Sequence, residues 1–322
     1  MPKINQTVLM SDAQHFSTEF AINPYYSSAA DLNAARAQSE HESIKAAFLE
    51  AGISVISVPS PSSSQDGVYT ANWALTRRGV AVIASLPDIR KSEEAYATNI
   101  LQKQGYKIVT VPEGLHFSGQ GDALPCGDYL FCGMGYRSDE AAQQFAAKTL
   151  GYKRIQVQAV PYRDKKDQAL LNPVTGWPDS FFYDIDLAIS IIRAPEKANS
   201  ASDTGGASRT SDTDRTSDDG STDIVNTAKP GLIAYCPEAL TPESVEALES
   251  LPDIETIHVS LHEAEEKFAC NLVSTGETVI MGDGAPELKQ NLEAHGLRVV
   301  TPHIEELSKG GGYIRCTSLT LG

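Results

Sequence analysis

The stretch SIKAAFLEAG, residues 43–52, runs directly into ISVISV, residues 53–58, and this pair sets the reading of the whole chain. Ile44, Ala47 and Phe48 stand three and four residues apart, the spacing that gathers apolar side chains on one face of a helix. Gly52 is the expected stop after the last helical turn, and the β-branched run behind it has the composition of a strand. The phrase returns four times: AYATNILQKQG then YKIVTV (95–111), AAQQFAAKTLG then YKRIQVQAV (141–160), SVEALESLP then DIETIHV (244–259), and ELKQNLEAHG then LRVVTP (287–302). Further strand candidates, GVAVIAS (79–85), DYLFCG (128–133), LAISII (187–192) and ETVIMG (277–282), lie between the copies. Five strand–helix–strand units of similar length predict an internally repeated α/β architecture, one continuous domain over residues 1–322.

One interval is longer than the rest. Between Pro195 and Pro230, Ser, Thr, Asp and Gly dominate and almost nothing is apolar. Burial there could not offset the entropy of ordering, so residues 195–230 read as a disordered surface insertion. Over the whole chain, an apolar content of 41% excludes general disorder, and a net charge of −16 argues against nucleic-acid partners and an anionic membrane surface. No run approaches the roughly 18 apolar residues that span a bilayer, and MPKINQTVLMSDAQHF lacks the basic and apolar regions of a secretory signal. Five cysteines without a C-x-x-C pair fit neither a disulfide framework nor a common zinc site, so a reducing cytoplasm is the expected location. The histidines show no metal-ligand spacing and no glycine-rich phosphate loop follows a strand. Neither a metal nor a nucleotide or other cofactor is expected.

Near the C-terminus the run Gly310-Gly311-Gly312-Tyr313-Ile314-Arg315-Cys316 precedes another apolar stretch. A triple glycine lets backbone turn tightly and approach a neighbour closely, which is one way to present a nucleophilic thiol. Taken alone, Cys316 has the commoner reading of a buried structural cysteine, a small hydrophobe.

Several separate motifs shift that reading. INP (22–24), VYTAN (68–72), FSGQGDAL (117–124), GMGYRS (133–138), FFYDIDLA (181–188), KFACN (267–271) and the GGGYIRC turn follow in an order that resembles the pentein superfamily of guanidine-modifying enzymes. The nearest likeness is to the dimethylarginine dimethylaminohydrolase, amidinotransferase and arginine dihydrolase branch, over nearly the whole chain outside the insertion. The resemblance implies a five-bladed α/β propeller with its active site at the central channel. It also implies hydrolysis of a guanidino amino acid, arginine or a methylated arginine, through a covalent thiouronium on a cysteine. Cys316 occupies the place of the nucleophile. Asn72 and Asp186 match the positions that hold the guanidinium nitrogens, and the arginine dihydrolase branch carries an amide at the former. Arg90 and Arg137 fall where the family grips the substrate carboxylate, a pairing that suits the planar guanidinium fork. Asp122, counted with these substrate-holding residues, reads as a buried hydrogen-bond acceptor beside the site.

The chain departs from the family at the proton relay. Asp184 stands where a catalytic histidine is usual, and Ser118 where relatives place a glutamate. An aspartate with an ordinary pKa near 4 is a poor proton donor at neutral pH, so Asp184 is expected to serve as a base for water and not as a strong acid. His116 lies two residues before Ser118 and is the best placed histidine to substitute. Three readings stay open at this stage: a hydrolase, an amidinotransferase, and an impaired member that binds an arginine-like ligand. All imply a small-molecule guanidino partner, and a homodimer is compatible with each.

Overall fold

In the computed structural model the described residues are 3–28, 31–196 and 229–322. Most of the insertion read at 195–230 lies outside them. The first unit contains β1 (Thr7–Ser11), α1 (Ala34–Glu50) and β2 (Ser54–Val58). The second has β3 (Ala74–Arg77), β4 (Val80–Ile83), α2 (Ser92–Lys103) and β5 (Lys107–Thr110), and the third β6 (Ala123–Cys126), β7 (Tyr129–Gly133), α3 (Glu140–Leu150) and β8 (Lys153–Val157). The fourth holds β9 (Ile189–Arg193), β10 (Gly231–Tyr235), α4 (Pro242–Glu249) and β11 (Ile254–His258), followed by a short α5 (Leu261–Lys267). The fifth has β12 (Val273–Ser274), β13 (Thr278–Ile280), α6 (Pro286–Ala294) and β14 (Arg298–Val300), and the chain returns as β15 (Leu319–Thr320).

These strands form five separate three-stranded sheets of one pattern. In each, an inner strand runs antiparallel to the middle strand, and the outer strand, reached through a helix, pairs parallel to it. The inner strands β15, β3, β6, β9 and β12 adjoin one another around the centre, so the architecture is a five-bladed α/β propeller. Each helix turns its predicted face inward: Ile44, Ala47 and Phe48 of α1 are buried, as are Ala142, Ala146 and Leu150 of α3. The sequence reading passed over β1, although Val8, Leu9 and Met10 are a fully buried apolar run, and over α5, which is too short to display a period. Among the described residues no helix is long and apolar enough to cross a membrane, and all five cysteines are buried and unpaired.

The insertion interrupts a hairpin. β9 and β10 pair antiparallel, with Leu232 opposite Arg193, and the backbone N–H of Glu196 still reaches Lys229 O at 2.9 Å. The chain therefore leaves and re-enters the blade at one point. A second long connection, from Gln158 to Asp184, folds back on itself through Tyr162 N to Asp179 O (2.8 Å) and Leu170 N to Tyr162 O (2.8 Å). It is tied to the N-terminal loop by Asn172 Nδ2, which donates to Ala21 O at 3.2 Å.

The first blade is completed by the last residues. β15 pairs with β1 through Val8–Thr320 and Leu9–Leu319, and Leu319 is fully buried beside Leu9 and Trp73. The turn before it needs its glycines. Gly311 has φ +78°, in the left-handed region that a side chain strains, and a Cβ on Gly312 would run into the Tyr69 ring. Tyr69 is fixed there by its hydroxyl, which donates to Leu307 O at 2.6 Å.

Two variants test this closure. Leu319→Ala should lower unfolding free energy by about 2–5 kcal/mol, the range for truncating a buried leucine, and should speed reaction of Cys316 with a thiol reagent in native buffer. Gly312→Ala should cost about 1–3 kcal/mol through overpacking against Tyr69. Urea midpoints at unchanged slope would measure both.

Candidate active site

Each inner strand begins within three residues of a polar side chain: Asn72 before β3, Asp122 before β6, Asp186 before β9, Asn271 before β12 and Cys316 before β15. A tight turn sets each in place. Asn72 N bonds Tyr69 O at 3.3 Å, Asp122 N bonds Gly119 O at 3.4 Å, and Asn271 N bonds Phe268 O at 2.8 Å. The fold thus brings five side chains, far apart in sequence, to one end of the channel.

Cys316 is 3% exposed. Its Sγ donates toward Asp186 Oδ2 at 3.4 Å and accepts from Asn271 Nδ2 at 3.2 Å. Asn271 also receives the backbone N–H groups of Arg315 (2.9 Å) and Cys316 (3.2 Å) on Oδ1. This asparagine holds the turn that carries Cys316, a contact that sequence reasoning missed. A signal existed: Tyr69-Thr-Ala-Asn72, Tyr183-Asp-Ile-Asp186, Phe268-Ala-Cys-Asn271 and Tyr313-Ile-Arg-Cys316 all read aromatic-x-x-functional residue.

Asn72 is the hub of the opposite wall. Its Nδ2 donates to Asp184 Oδ2 (2.8 Å) and to Ser118 Oγ (2.9 Å), while its Oδ1 accepts from Arg90 Nη1 (3.0 Å). The two departures from the family pattern, Asp184 and Ser118, therefore converge on one amide. Arg90 is not open for a carboxylate clamp in this arrangement. Its Nε and Nη2 both bond Glu93 at 2.8 Å, and Glu93 is itself fully buried and further held by Ser64 Oγ (2.6 Å) and Trp73 Nε1 (2.9 Å). Burial works against the charge of Arg90, but Glu93 outweighs it and the pKa rises.

Arg137 is held by backbone carbonyls, and only its ion pair is long. Nη2 donates to Ile22 O at 2.8 Å and Nη1 to Tyr136 O at 3.0 Å, while Pro178 O is 3.4 Å from Nη1 and Asp179 Oδ1 is 3.5 Å from Nη2. Both arginines line a narrow cleft with Cys316, Asn72, Ser118 and Asp184, and so does Asp66, which sequence reasoning missed. Burial pushes the Asp66 carboxyl up to about 6, with Arg90 pulling against it. The cleft's free space is about 20 Å³, room for roughly one water. Asp122 lies behind this wall; its Oδ1 accepts from Ile185 N at 3.1 Å, orienting the Asp184–Asp186 segment. His116 is elsewhere: half-exposed, 3.3 Å from Asp139 and stacked edge-on to Trp177, it lines a neighbouring groove and not the cleft.

Charge is unbalanced at the channel's centre. Asp184 Oδ1, Asp186 Oδ1 and Asp122 Oδ2 are buried without a hydrogen-bond partner. Burial raises all three carboxyls, and for Asp122 and Asp186 the charge of Asp184 pushes further in the same direction. The Cys316 thiol is also held well above its usual range, by burial first and by Asp186 second. Among the described residues no cluster of three or more His, Cys, Asp or Glu is arranged to hold a metal. Three carboxyl oxygens at one place are thus buried without a donor among the described residues.

Comparison with known proteins agrees with the fold. A family model described as N,N dimethylarginine dimethylhydrolase, eukaryotic, matches residues 10–170. The N(G),N(G)-dimethylarginine dimethylaminohydrolase of Mycobacterium tuberculosis is 28% identical over 97% of this chain and 84% of its own length. The bifunctional arginine dihydrolase/ornithine cyclodeaminase AgrE of Nostoc is 24% identical, but the chain spans 37% of that relative. The N-terminal domain of ArgZ, a cyanobacterial arginine dihydrolase bound to product, superimposes with a TM-score of 0.76 at 22% identity, covering 98% and 97% of the two chains. A dimethylarginine dimethylaminohydrolase bearing an S-methyl-L-thiocitrulline adduct gives 0.65 at 16% identity, covering 98% and 99%. With half its length matched by that model, the chain belongs to the N,N-dimethylarginine dimethylhydrolase family.

Proposed function

We propose that this protein hydrolyses the guanidino group of arginine or a methylated arginine, with Cys316 as nucleophile. The observation that carries the reading is the buried thiol beside Asp184 and Asp186, each with a carboxylate oxygen left unpartnered. A planar guanidinium supplies the missing donors and the missing charge together. At about 4 Å and an effective dielectric of about 20, its charge is worth ~4 kcal/mol to a neighbouring thiolate, which offsets the burial that keeps Cys316 protonated. The nucleophile is thus activated by its own substrate.

In the first step the Sγ proton passes to Asp186 Oδ2, and Sγ bonds to the guanidinium carbon. The C–N bond to the departing nitrogen breaks as that nitrogen takes a proton from a site carboxyl, and ammonia or an alkylamine leaves. In the second step water adds to the thiouronium carbon and gives one proton to Asp184, which passes it to solvent; the C–S bond breaks as the C=O bond forms, and the remaining hydroxyl proton goes to the departing Sγ, returning the thiol and a ureido product. Burial raises Asp184 in the free protein, toward the range where a carboxyl can donate as well as accept.

Within this reading Arg137, whose ion pair is long, takes the substrate carboxylate, and Arg90 acts as a positioning residue that fixes Asn72. Asn72 and Asp186 hold the guanidinium nitrogens, and Asp122 acts through the backbone of Ile185. Binding requires the cleft to open, because its present space admits about one water.

Incubation with arginine and with dimethylarginine, followed by mass spectrometry and product analysis, tests the proposal. A thiouronium on the Cys316 peptide is expected, with release of ammonia or dimethylamine. Cys316→Ser should reduce turnover by on the order of 10³-fold or more. Undiminished turnover in that variant removes the nucleophile. Binding without adduct or product supports a ligand-binding protein, and transfer of the amidino group to an added amine supports an amidinotransferase.

Electrostatics gives a second test. Asp184 and Asp186 hold their protons more tightly folded than unfolded. That preference stabilises the fold below an unfolded pKa of about 4, and the contribution is lost as pH rises through the raised value. Ligand-free Asp186→Asn should therefore melt above the parent at pH 7–8, with the difference closing toward pH 4. Saturating guanidino substrate should reverse the order at pH 7–8. Melting curves across pH, with and without arginine, measure both effects.

A further inference from the structure

The inner strands all run away from the catalytic turns, so their far ends meet at the opposite mouth of the channel. There they enclose a second cavity of about 370 Å³ that shares no lining residue with the active cleft. Leu124, Ile189, Ile191, Leu272 and Leu321 make apolar walls, and Gln120 and Arg315 furnish the polar end. No Asp or Glu side chain lines it.

Arg315 is 7% exposed. Its Nη1 donates to Ser318 O (3.0 Å) and Thr320 Oγ1 (3.2 Å), and its Nη2 to Gln120 Oε1 (2.7 Å). Nε–H and one Nη2–H have no hydrogen-bond acceptor among the described residues. Burial lowers its pKa while Asp186, on the catalytic side, pulls the other way. The other cations at the cavity differ: Arg77 is committed to Asp128 Oδ1 (2.8 Å) and Gly151 O (2.6 Å), and Lys3 is exposed. A buried guanidinium with spare donors matches a carboxylate in charge and shape, and apolar walls offer water few partners.

We propose that this rear cavity is a binding site for a small organic monoanion, a carboxylate with a short apolar tail, held by Arg315. Such a ligand would sit one residue from Cys316 and compete with Asp186 for the same guanidinium, so occupancy at one end is felt at the other. Binding itself does not depend on the hydrolase reading; the effect on turnover does.

Titration calorimetry with hexanoate and with hexylammonium tests the site on the unmodified protein. One hexanoate is expected to bind with a dissociation constant of about 1 mM or below, and hexylammonium at least about tenfold more weakly. Arg315→Gln and Ile191→Trp, the second filling the cavity without touching the charge, should each weaken hexanoate at least about tenfold. Ile191→Trp keeps the test valid if Arg315→Gln fails to fold, and Arg137→Gln in the front cleft should leave hexanoate binding unchanged. No heat at about 10 mM hexanoate, a range of very weak affinity, means a cavity holding water only and overturns the proposal. Equal binding of hexylammonium, or loss in Arg137→Gln with retention in Ile191→Trp, overturns it as well.

Discussion

A pairing of two residues at one end of the chain with two at the other holds this structure together. Val8 and Leu9 meet Thr320 and Leu319, and until they do the first blade lacks its inner strand. Because Cys316 lies in the turn that leads into β15, ring closure and placement of this thiol are one event. The link is reinforced from the side: Ala71 N bonds Cys316 O at 3.0 Å, and the Thr70 hydroxyl has its one proton within reach of two carbonyls, Leu9 O (3.0 Å) and Thr317 O (2.9 Å). The surroundings of Cys316 are a product of tertiary closure, and the local sequence around the cysteine alone would not supply them.

The second organising fact is an excess of buried negative charge. A fold that sets Asp122, Asp184 and Asp186 together with unpartnered oxygens carries a desolvation cost that an apolar centre would avoid. Raised pKa values reduce that cost by keeping protons on, and a cationic ligand removes it. The surrounding cations are disposed differently. Glu93 pairs with Arg90, and the charge of Arg315 acts on Asp186 without a hydrogen bond to it, so neither donates to the unpartnered carboxyl oxygens. Stability and ligand affinity are therefore opposed at these carboxyls.

Much of this was readable in the sequence, for definite reasons. Helix faces such as Ile44, Ala47 and Phe48 repeat with the helix period, and glycines such as Gly151 stand at left-handed helix ends, so the repeated units declared themselves. Cys316, Asn72, Asp184 and Asp186 stood out through motifs, and the fold assembles them. The Arg90–Glu93 pair was illegible because an i, i+3 charge pair at a helix start looks like any solvated surface; only the packing of Trp73 and Ser64 around it shows burial. The connection from Gln158 to Asp184 escaped for a similar reason, since its polar stretches have no period and gain order from distant partners such as Ala21. His116 was near in sequence, but the backbone is not extended at Ser118 (φ −96°, ψ 22°), so the two-residue spacing does not put both side chains on one face, and the imidazole meets Asp139 and Trp177.

The Leu9–Leu319 contact spans almost the full length of the chain. Contacts of such separation are reached only after the entropy of closing the intervening loop has been met, and the other four blades are built from neighbours much closer in sequence. On that topology the surroundings of Cys316 are among the last parts of the molecule to be assembled. A nascent or partly folded chain carries Cys316 as an ordinary accessible thiol, apart from Asp186 and Asn271. The exposure of that thiol to oxidants is then set by how long the ring stays open.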